Sequence, residues 1–314
     1  MALTGLLELP LSLILFGGKG GVGKTTCAAS AALYLASNNK NTLLISTDPA
    51  HSLSDSLGKE IGDEIKQIKE VDKLSAIEIS AEKALSEFKI EYDAELRRLF
   101  DTSTYLDKED IDSILALPIP GIDEVMGFKT IVDLIEEGKF DKYIVDTAPT
   151  GHALRLLTLP ELLDDWIKVM AKMRWKYRYM VTSFAGKYKP DSADDFLMNM
   201  KKTVKRIDGL LRDEKRCEFI VVTIPEDMAI KETERMIKSL NQYRMKVKQM
   251  IINNVIPEQA NCRFCHARRE GQDKYIGEIR DKFSDLNITL IPLQPHEVKG
   301  VDALKNLKDM CFVG

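Results

Sequence analysis

The sequence contains no apolar run that reaches the length of about 18 residues that a membrane-spanning helix needs. The longest candidate, residues 6–16, includes Glu8 and Pro10 and has no basic segment before it. We therefore expect a short leader and a buried strand there, not a signal peptide. The five cysteines form no even, closely spaced framework, which favours a reducing cytoplasm over a secreted, disulfide-bonded protein.

A strong charge of either sign is also absent. The net charge of -4 and the pI near 5.8 give no overall basic field, so the composition provides no argument for nucleic-acid binding. There is no fixed-period repeat, low-complexity segment or Pro/Ser-rich linker at which to place a domain boundary. With 44% hydrophobic and 30% charged residues, the chain is typical of a folded protein with a sizeable core.

Short apolar runs that suit strands buried on both faces recur along the chain and alternate with helical patterns. This alternation predicts an α/β fold with a mainly parallel sheet covered on both sides. The expected strands cover residues 11–16, 42–46, 142–145, 218–223, 248–253 and 287–291.

Two of the intervals between strands are much longer than the 30 or so residues that a βαβ unit uses. They predict a helical subdomain inserted into a single domain of residues 1–314, at about 81–118 and 156–213. The second interval carries apolar residues at helical spacing in two stripes. These are Leu163, Trp166, Met170, Met173, Tyr177 and Met180, then Phe196, Met200, Val204, Ile207 and Leu211. A less regular set in the first interval is Leu96, Leu99, Phe100, Ile114, Leu115 and Leu117.

A glycine-rich loop follows the first predicted strand and fits the pattern G-x-x-x-x-G-K-S/T. Backbone N–H groups of such a loop surround phosphates, and the helix that follows favours an anion at its N-terminus. Lys24 would reach the β- and γ-phosphates, and Thr25 would bind Mg²⁺. The loop is Gly18, Lys19, Gly20, Gly21, Val22, Gly23, Lys24 and Thr25, with Thr26 next in the helix.

Aspartates follow the second and third of these strands, where phosphoryl-transfer enzymes place metal-binding and water-orienting groups. Asp146 ends a buried strand, which suits a carboxylate that holds Mg²⁺ or its water. In residues 47–55, both Asp48 and Asp55 are chemically able to orient an attacking water. The residues alone do not choose between them.

The pair Cys262 and Cys265 forms one C-x-x-C, whereas a structural zinc takes four ligands. Two chains meeting on a two-fold axis would supply four thiolates. A redox pair, a site completed by His266 within one chain and two unrelated thiols are the alternatives that the spacing leaves open.

The motifs together resemble those of a known family over essentially the whole chain. K-G-G-V-G-K-T-T is similar to the deviant Walker A loop of the dimeric, SIMIBI-type P-loop NTPases. D-P-A-H-S-L-S-D and D-T-A-P-T-G-H resemble the two switch segments of the arsenical pump-driving ATPase family. With the C-x-x-C, the chain is identified as a member of its guided-entry (GET/TRC) branch, the ATPases that target tail-anchored proteins.

The resemblance implies roles for individual residues. Lys19 would cross a dimer interface to the partner's nucleotide, and Asp55 would position the hydrolytic water. Asn253, Glu226 and the Pro292-Leu293 segment would contact the nucleotide around adenine. Cys262 and Cys265 would hold an intersubunit Zn²⁺.

The same resemblance implies an ATP-hydrolysing, cytoplasmic homodimer, or a tetramer, with tail-anchored clients, a membrane receptor and no nucleic-acid partner. Its helical subdomains would form a hydrophobic groove for the client transmembrane helix. The suggested groove residues are Leu163, Trp166, Met170, Met173, Met180, Phe196 and Met200. The catalytic subunit of an arsenite efflux pump, a spatial-organising ATPase on membrane or DNA and a general holdase are the rival interpretations.

Overall fold

The computed structural model describes residues 3–7, 9–48, 52–103, 109, 112, 122–147, 150–185, 187–258 and 262–312. Ile114, Leu115 and Leu117 lie outside these ranges. The chain divides into two compact units. The first comprises Met1–Ser80, Asp133–Leu157 and Leu210–Gly314, and the second Ala81–Val132 and Thr158–Gly209.

The first unit contains an eight-stranded sheet of order β3-β4-β2-β5-β1-β6-β7-β8. All neighbouring strands are parallel except the antiparallel pair β3 and β4. The strands are β1 Leu13–Gly17, β2 Thr42–Ser46, β3 Lys66–Gln67, β4 Leu74–Glu78, β5 Lys142–Asp146, β6 Cys217–Thr223, β7 Val247–Val255 and β8 Asn287–Pro292. The predicted α/β class with a mainly parallel sheet is thereby confirmed.

Helices follow most of the strands. They are α1 Lys24–Ser37, α2 Ser52–Leu57, α3 Ala81–Glu91, α4 Asp93–Ser103, α5 Ile122–Glu137, α6 Thr150–Ala185, α7 Ser192–Leu211, α8 Asp227–Gln242, α9 Arg263–Lys282 and α10 Val301–Phe312. A short 3-10 helix, Leu3–Leu6, precedes them. Within the described ranges, no helix is both long enough and apolar enough to cross a membrane.

Strand β4 has no counterpart among the predicted strands. Its sequence, Leu-Ser-Ala-Ile-Glu, has only two large apolar residues and ends in a carboxylate, so it does not form the apolar run expected of a central strand. The strand is nevertheless largely buried, because it pairs with β2 along its whole length. Pairing across the sheet therefore overrides its weak local pattern.

The core of the first unit surrounds α1, which is buried along most of its length. Its alanine-rich sequence allows close packing between the sheet and α10. Tyr34 of α1 and Phe312 of α10 stack with ring centroids 4.3 Å apart. Because β1 lies between β5 and β6 and the strands are parallel, the ends of β1, β5 and β7 share one edge of the sheet.

The second unit is helical and has its own core. Phe88 and Tyr92, in and just after α3, pack with Phe196 of α7. Arg174 of α6 is buried, forms ion pairs with Asp191 and Asp194 near the start of α7, and lies over the ring of Tyr177. A buried cation paired in this way fixes the positions of both helices.

Candidate nucleotide-binding site

The loop between β1 and α1 contains two glycines that no other residue could replace without movement of neighbouring atoms. A Cβ at Gly18 would lie 2.1 Å from the backbone oxygen of Val222. Gly23 has a φ of 91°, and its Cβ would lie 2.3 Å from Nδ2 of Asn253. The loop therefore packs tightly against the ends of β6 and β7.

Lys24 begins α1 and is almost completely buried. Its Nζ donates a hydrogen bond to the backbone oxygen of Lys19, 3.3 Å away. Burial lowers the pKa of the Lys24 ammonium, while the carboxylates of Asp146 and Asp48 act in the opposite direction. An ammonium held beside the loop in this way suits a phosphate ligand.

The next residue, Thr25, is bonded to the carboxylate that ends β5. Its hydroxyl donates to Oδ2 of Asp146 at 2.6 Å and lies 3.2 Å from the hydroxyl of Ser52. Asp146 is fully buried, and this burial raises its pKa to about 7. The hydrogen bond from Thr25 and the charge of Lys24 lower the pKa, but their effect is smaller than that of burial.

The second oxygen of Asp146, Oδ1, is buried and has no hydrogen-bond partner among the residues that the structure describes. A buried oxygen without a donor suits a cation or a metal-bound water. The oxygen-rich set of Thr25, Asp146 and Ser52 therefore fits Mg²⁺.

A cavity of about 900 Å³ opens in front of this loop. Of the predicted nucleotide and catalytic residues, it is lined by Gly20, Gly21, Gly23, Lys24, Thr25, Thr26, Asp55, Asn253 and Leu293. Its lining does not include Gly18, Lys19, Val22, Asp146, Glu226 or Pro292. The volume is within the usual range for a small-molecule site.

Lys19 forms an ion pair that the sequence did not predict. Its Nζ lies 3.8 Å from Oε1 of Glu232 in α8, and both side chains are about one-third exposed. The distance exceeds that of a hydrogen bond, and pairs with this exposure are weak. Lys19 is therefore held loosely by its own chain in this conformation.

Asp55 is an exposed residue of α2, and the segment is held by a residue of β4. The backbone N–H of Ser54 donates to Oε1 of Glu78 and its hydroxyl donates to Oε2, both at 2.9 Å. Glu78 thus accepts an N–H that the first turn of α2 leaves without a helical partner. No motif revealed this contact, because Glu78 is distant in sequence.

Asn253 is buried at the end of β7 and contacts the glycine loop directly. Its Nδ2 donates to the backbone oxygen of Val22 at 2.9 Å. Its other amide atom, Oδ1, is an acceptor suited to an exocyclic amine such as that of adenine. Leu293, just after β8, lines the same cavity, and its N–H donates to the oxygen of Val255.

Glu226 lies outside this cavity and lines a neighbouring one of about 350 Å³, together with Arg268, Phe264 and Cys265. Its carboxylate forms an exposed ion pair of 3.5 Å with Arg268. The sequence predicts that Glu226 contacts the nucleotide. In this conformation its carboxylate instead faces α9, the helix that carries the C-x-x-C.

Cys262 precedes α9 and caps it, since its Sγ accepts the backbone N–H of Cys265 at 3.1 Å. Hydrogen bonds from the thiol of Cys265 and from the backbone of Cys265 and Phe264 lower the pKa of the Cys262 thiol. Among the described residues, no group of three or more His, Cys, Asp or Glu could hold a metal. One chain thus presents two sulfur atoms near the start of α9, half the number of ligands that a structural zinc site takes.

The suggested client residues of the helical unit differ in exposure. Met170, Phe196 and Met200 are buried in its core, Trp166 and Met173 are half-buried, and Met180 is 46% exposed. Four residues after Met180 on the same face, Phe184 is 92% exposed. The side chain of Leu163 lies outside the described part, as do Ala148 and Pro149 of the second switch segment.

A family model for anion-transporting ATPases matches residues 11–312. The chain belongs to the anion-transporting ATPase family. This membership confirms the prediction of a P-loop NTPase and makes the chain an ATPase.

Individual members of the anion-transporting ATPase family match over almost the whole chain. ATPase ASNA1 homolog 2 of Paramecium tetraurelia is 35% identical over 98% of this chain and 96% of its own length. ATPase get3 of Pyrenophora tritici-repentis is 34% identical over 95% of this chain and 90% of its own length. ATPase GET3C of Arabidopsis thaliana is 35% identical over 95% and 81%, respectively. The recognition of the GET branch from the motifs is confirmed.

Proposed function

We propose that this chain is an ATP-hydrolysing targeting factor that works as a homodimer in the cytoplasm. It captures the transmembrane segment of tail-anchored proteins and delivers them to a membrane. Support comes from the family membership, from full-length similarity to ATPases named GET3 and ASNA1, and from the resemblance of both switch segments to that branch.

Thr25 and Asp146 hold Mg²⁺, and Lys24 with the glycine loop holds the phosphates of ATP. The support is the buried Oδ1 of Asp146 beside the Thr25 hydroxyl. Bound Mg²⁺ would neutralise phosphate charge during hydrolysis. Asp55 orients the attacking water, and its place on the cavity wall, on the helix held by Glu78, is compatible with that role.

Asn253 reads adenine through its amide, with Leu293 as an apolar wall and Pro292 in the strand end behind it. Glu226 contacts the nucleotide after it leaves Arg268. Lys19 leaves Glu232 and reaches the nucleotide of the second subunit, where its charge stabilises the developing negative charge. Because the ion pair of Lys19 with Glu232 is weak, breaking it requires little free energy.

Cys262 and Cys265 from each of two chains hold one Zn²⁺. The support is the pair of sulfur ligands at the start of α9, of which Cys262 is exposed and Cys265 half-buried, with the hydrogen bonds that favour the Cys262 thiolate. Shared coordination requires a homodimer with a two-fold axis. Elemental analysis is expected to give one zinc per two chains, and Cys262→Ser is expected to remove it. A metal-free monomer would contradict this part of the proposal.

The observation that carries the client role is the exposed apolar stripe on α6. Its members are spaced by three, four, seven and four residues, which keeps them on one face of the helix; Val169, Met180 and Phe184 are exposed, and Trp166 and Met173 are half-buried. They are Trp166, Val169, Met173, Met180 and Phe184. Flexible methionines and a large aromatic can accept varied apolar helices, as a factor with many clients requires. Met170, Phe196 and Met200 are buried in the helical unit and do not contact the client.

The decisive experiment is co-purification with a tail-anchored substrate. Met180→Asp/Phe184→Asp is expected to abolish capture, because two charges then face the client. The matched control is Trp175→Asp/Tyr179→Asp, which places the same charges at two exposed aromatic positions on a different face of α6. Asp55→Asn is expected to capture clients but not to release them. Retained capture by the Met180/Phe184 variant, or equal loss in both double variants, would contradict the assignment.

The rival interpretation as an arsenite pump subunit is less well supported. It predicts arsenite-stimulated hydrolysis that is lost on Cys262→Ser. No stimulation is expected here, because the same cysteines serve as zinc ligands.

A further inference from the structure

A β-bulge at the end of β7 places Asn253. Ile252 pairs with Leu290 and Val255 with Pro292, so β7 advances by three residues while β8 advances by two. Asn254 accommodates the extra residue with a φ of 58°, a left-handed conformation that asparagine tolerates better than most residues.

A bulge removes backbone groups from the strand ladder, and buried groups of this kind need other partners. Here one side chain bonds both the bulge residue Asn254 and Ile256, the first residue after β7. Gln272 of α9 donates from Nε2 to the oxygen of Asn254 at 3.0 Å, and its Oε1 accepts the N–H of Ile256 at 2.8 Å. Gln272 is almost fully buried, so water does not readily replace these bonds.

The residue beside this clamp forms the wall of the nucleotide cavity. Asn253 is adjacent to Asn254, and its Nδ2 bonds the oxygen of Val22 in the glycine loop at 2.9 Å. The side chain of Asn253 has little room to move, because its Nδ2 packs closely on Gly23: a Cβ at Gly23 would lie only 2.3 Å away. A small movement of the bulge would therefore move the amide of Asn253 relative to the cavity.

The clamp also connects this wall to the C-x-x-C. Cys265 and Gln272 are seven residues apart in α9, so they lie on the same side of the helix, two turns apart. Arg269, between them, donates to the oxygen of Ile256 at 2.6 Å. A continuous series of hydrogen bonds thus links α9, the bulge and the glycine loop.

We propose that Gln272 is a positioning residue for Asn253 and that it makes the affinity for adenine nucleotides depend on the placement of α9. The inference rests on the proposed role of Asn253 in adenine binding. Gln272 itself does not contact the nucleotide. It acts only by bonding the carbonyl of Asn254 in the bulge and the N–H of Ile256, the first residue after β7.

The test is isothermal titration of the full chain, in Mg²⁺, with a non-hydrolysable ATP analogue and with inorganic tripolyphosphate. Gln272→Met keeps the length of the side chain but forms neither bond. It is expected to weaken binding of the analogue about tenfold, as loss of two hydrogen bonds implies. Tripolyphosphate has no base and is expected to bind with unchanged affinity. Lys274→Met, at an exposed position of the same helix, is the matched control and changes neither affinity.

A double variant separates positioning from general destabilisation. In the Asn253→Ala background, adding Gln272→Met is expected to cause no further loss of analogue affinity, because the residue through which it acts is absent. If Gln272→Met does not fold, Gln272→Glu replaces it, since its second oxygen faces the carbonyl of Asn254 and disrupts the same clamp.

Three results would overturn the inference: unchanged affinity for the analogue, equal loss of tripolyphosphate binding, or additive losses in the double variant. They are distinguishable from failure of the proposed function. A wild-type chain that binds no ATP analogue refutes the ATPase assignment itself, whereas normal binding by wild type and by Gln272→Met refutes only the role of Gln272.

Discussion

Replacement of Asp146 by asparagine would measure how much the burial of this carboxylate lowers the free energy of unfolding when neither nucleotide nor metal is bound. Asp146 is fully buried, and its pKa is about 7, against 3.8 in the unfolded chain. Between these values the unfolded chain releases a proton that the folded protein retains. Stability contributed by this group is therefore highest at low pH and is lost as the pH rises from about 4 to 7.

The size of the effect follows from the same two pKa values. The difference between 3.8 and about 7 corresponds to about 4 kcal/mol at alkaline pH. Between pH 5 and pH 8, linkage gives a loss of about 2 to 3 kcal/mol for wild type. Asp146→Asn cannot ionise, so it lacks this loss, while its side-chain oxygen still accepts the Thr25 hydroxyl.

The assay is urea unfolding of both proteins in EDTA at pH 5 and pH 8, without nucleotide. The free energy of unfolding of Asp146→Asn relative to wild type is expected to rise by about 2 to 3 kcal/mol over this range. All other titrating groups are common to both proteins, so they cancel in the comparison. Equal pH profiles for the two proteins would refute the argument that burial perturbs Asp146.

Two further predictions concern the groups around Lys19 and Asp55. Glu232→Gln is expected to change the free energy of unfolding by less than about 1 kcal/mol. Lys19→Met is expected to lower ATP turnover about a hundredfold or more. Unchanged turnover of Lys19→Met in a steady-state assay would exclude the proposed role of Lys19. Glu78→Gln is expected to lower kcat for hydrolysis several-fold with little change in KM, because the amide loses one of two bonds to Ser54 and loosens the helix of Asp55. A rise in KM without a change in kcat would contradict that reasoning.

The parts of the site that could be predicted from the sequence are those whose residues lie close together in one short segment or at the end of a recognisable strand. Lys24 and Thr25 belong to one contiguous loop. Asp146 was recognisable because it ends an apolar strand, and parallel strands bring their ends to a common edge. Hence the loop and the proposed Mg²⁺ ligands could be inferred together.

Contacts between distant segments were not predictable. The ion pair of Lys19 with Glu232 and the clamp of Gln272 on β7 depend on how separate helices pack, which no local pattern encodes. Helical spacing likewise predicted a face of α6, but it could not tell which part of that face the neighbouring helices cover. As a result, Met170 is a core residue and Met180 an exposed one, although both belong to one stripe.

The stacking of Phe312 on Tyr34 matters for any laboratory version of this protein. The ring of Phe312 lies 4.3 Å from that of Tyr34 in α1, the helix that Lys24 begins. A substitution that removes the Phe312 ring, or a bulky label attached beside it, would disturb the packing of α10 against α1. Because α1 follows the glycine loop directly, such a change would reach the proposed nucleotide site through this aromatic pair, so a label elsewhere is the safer choice for kinetic work.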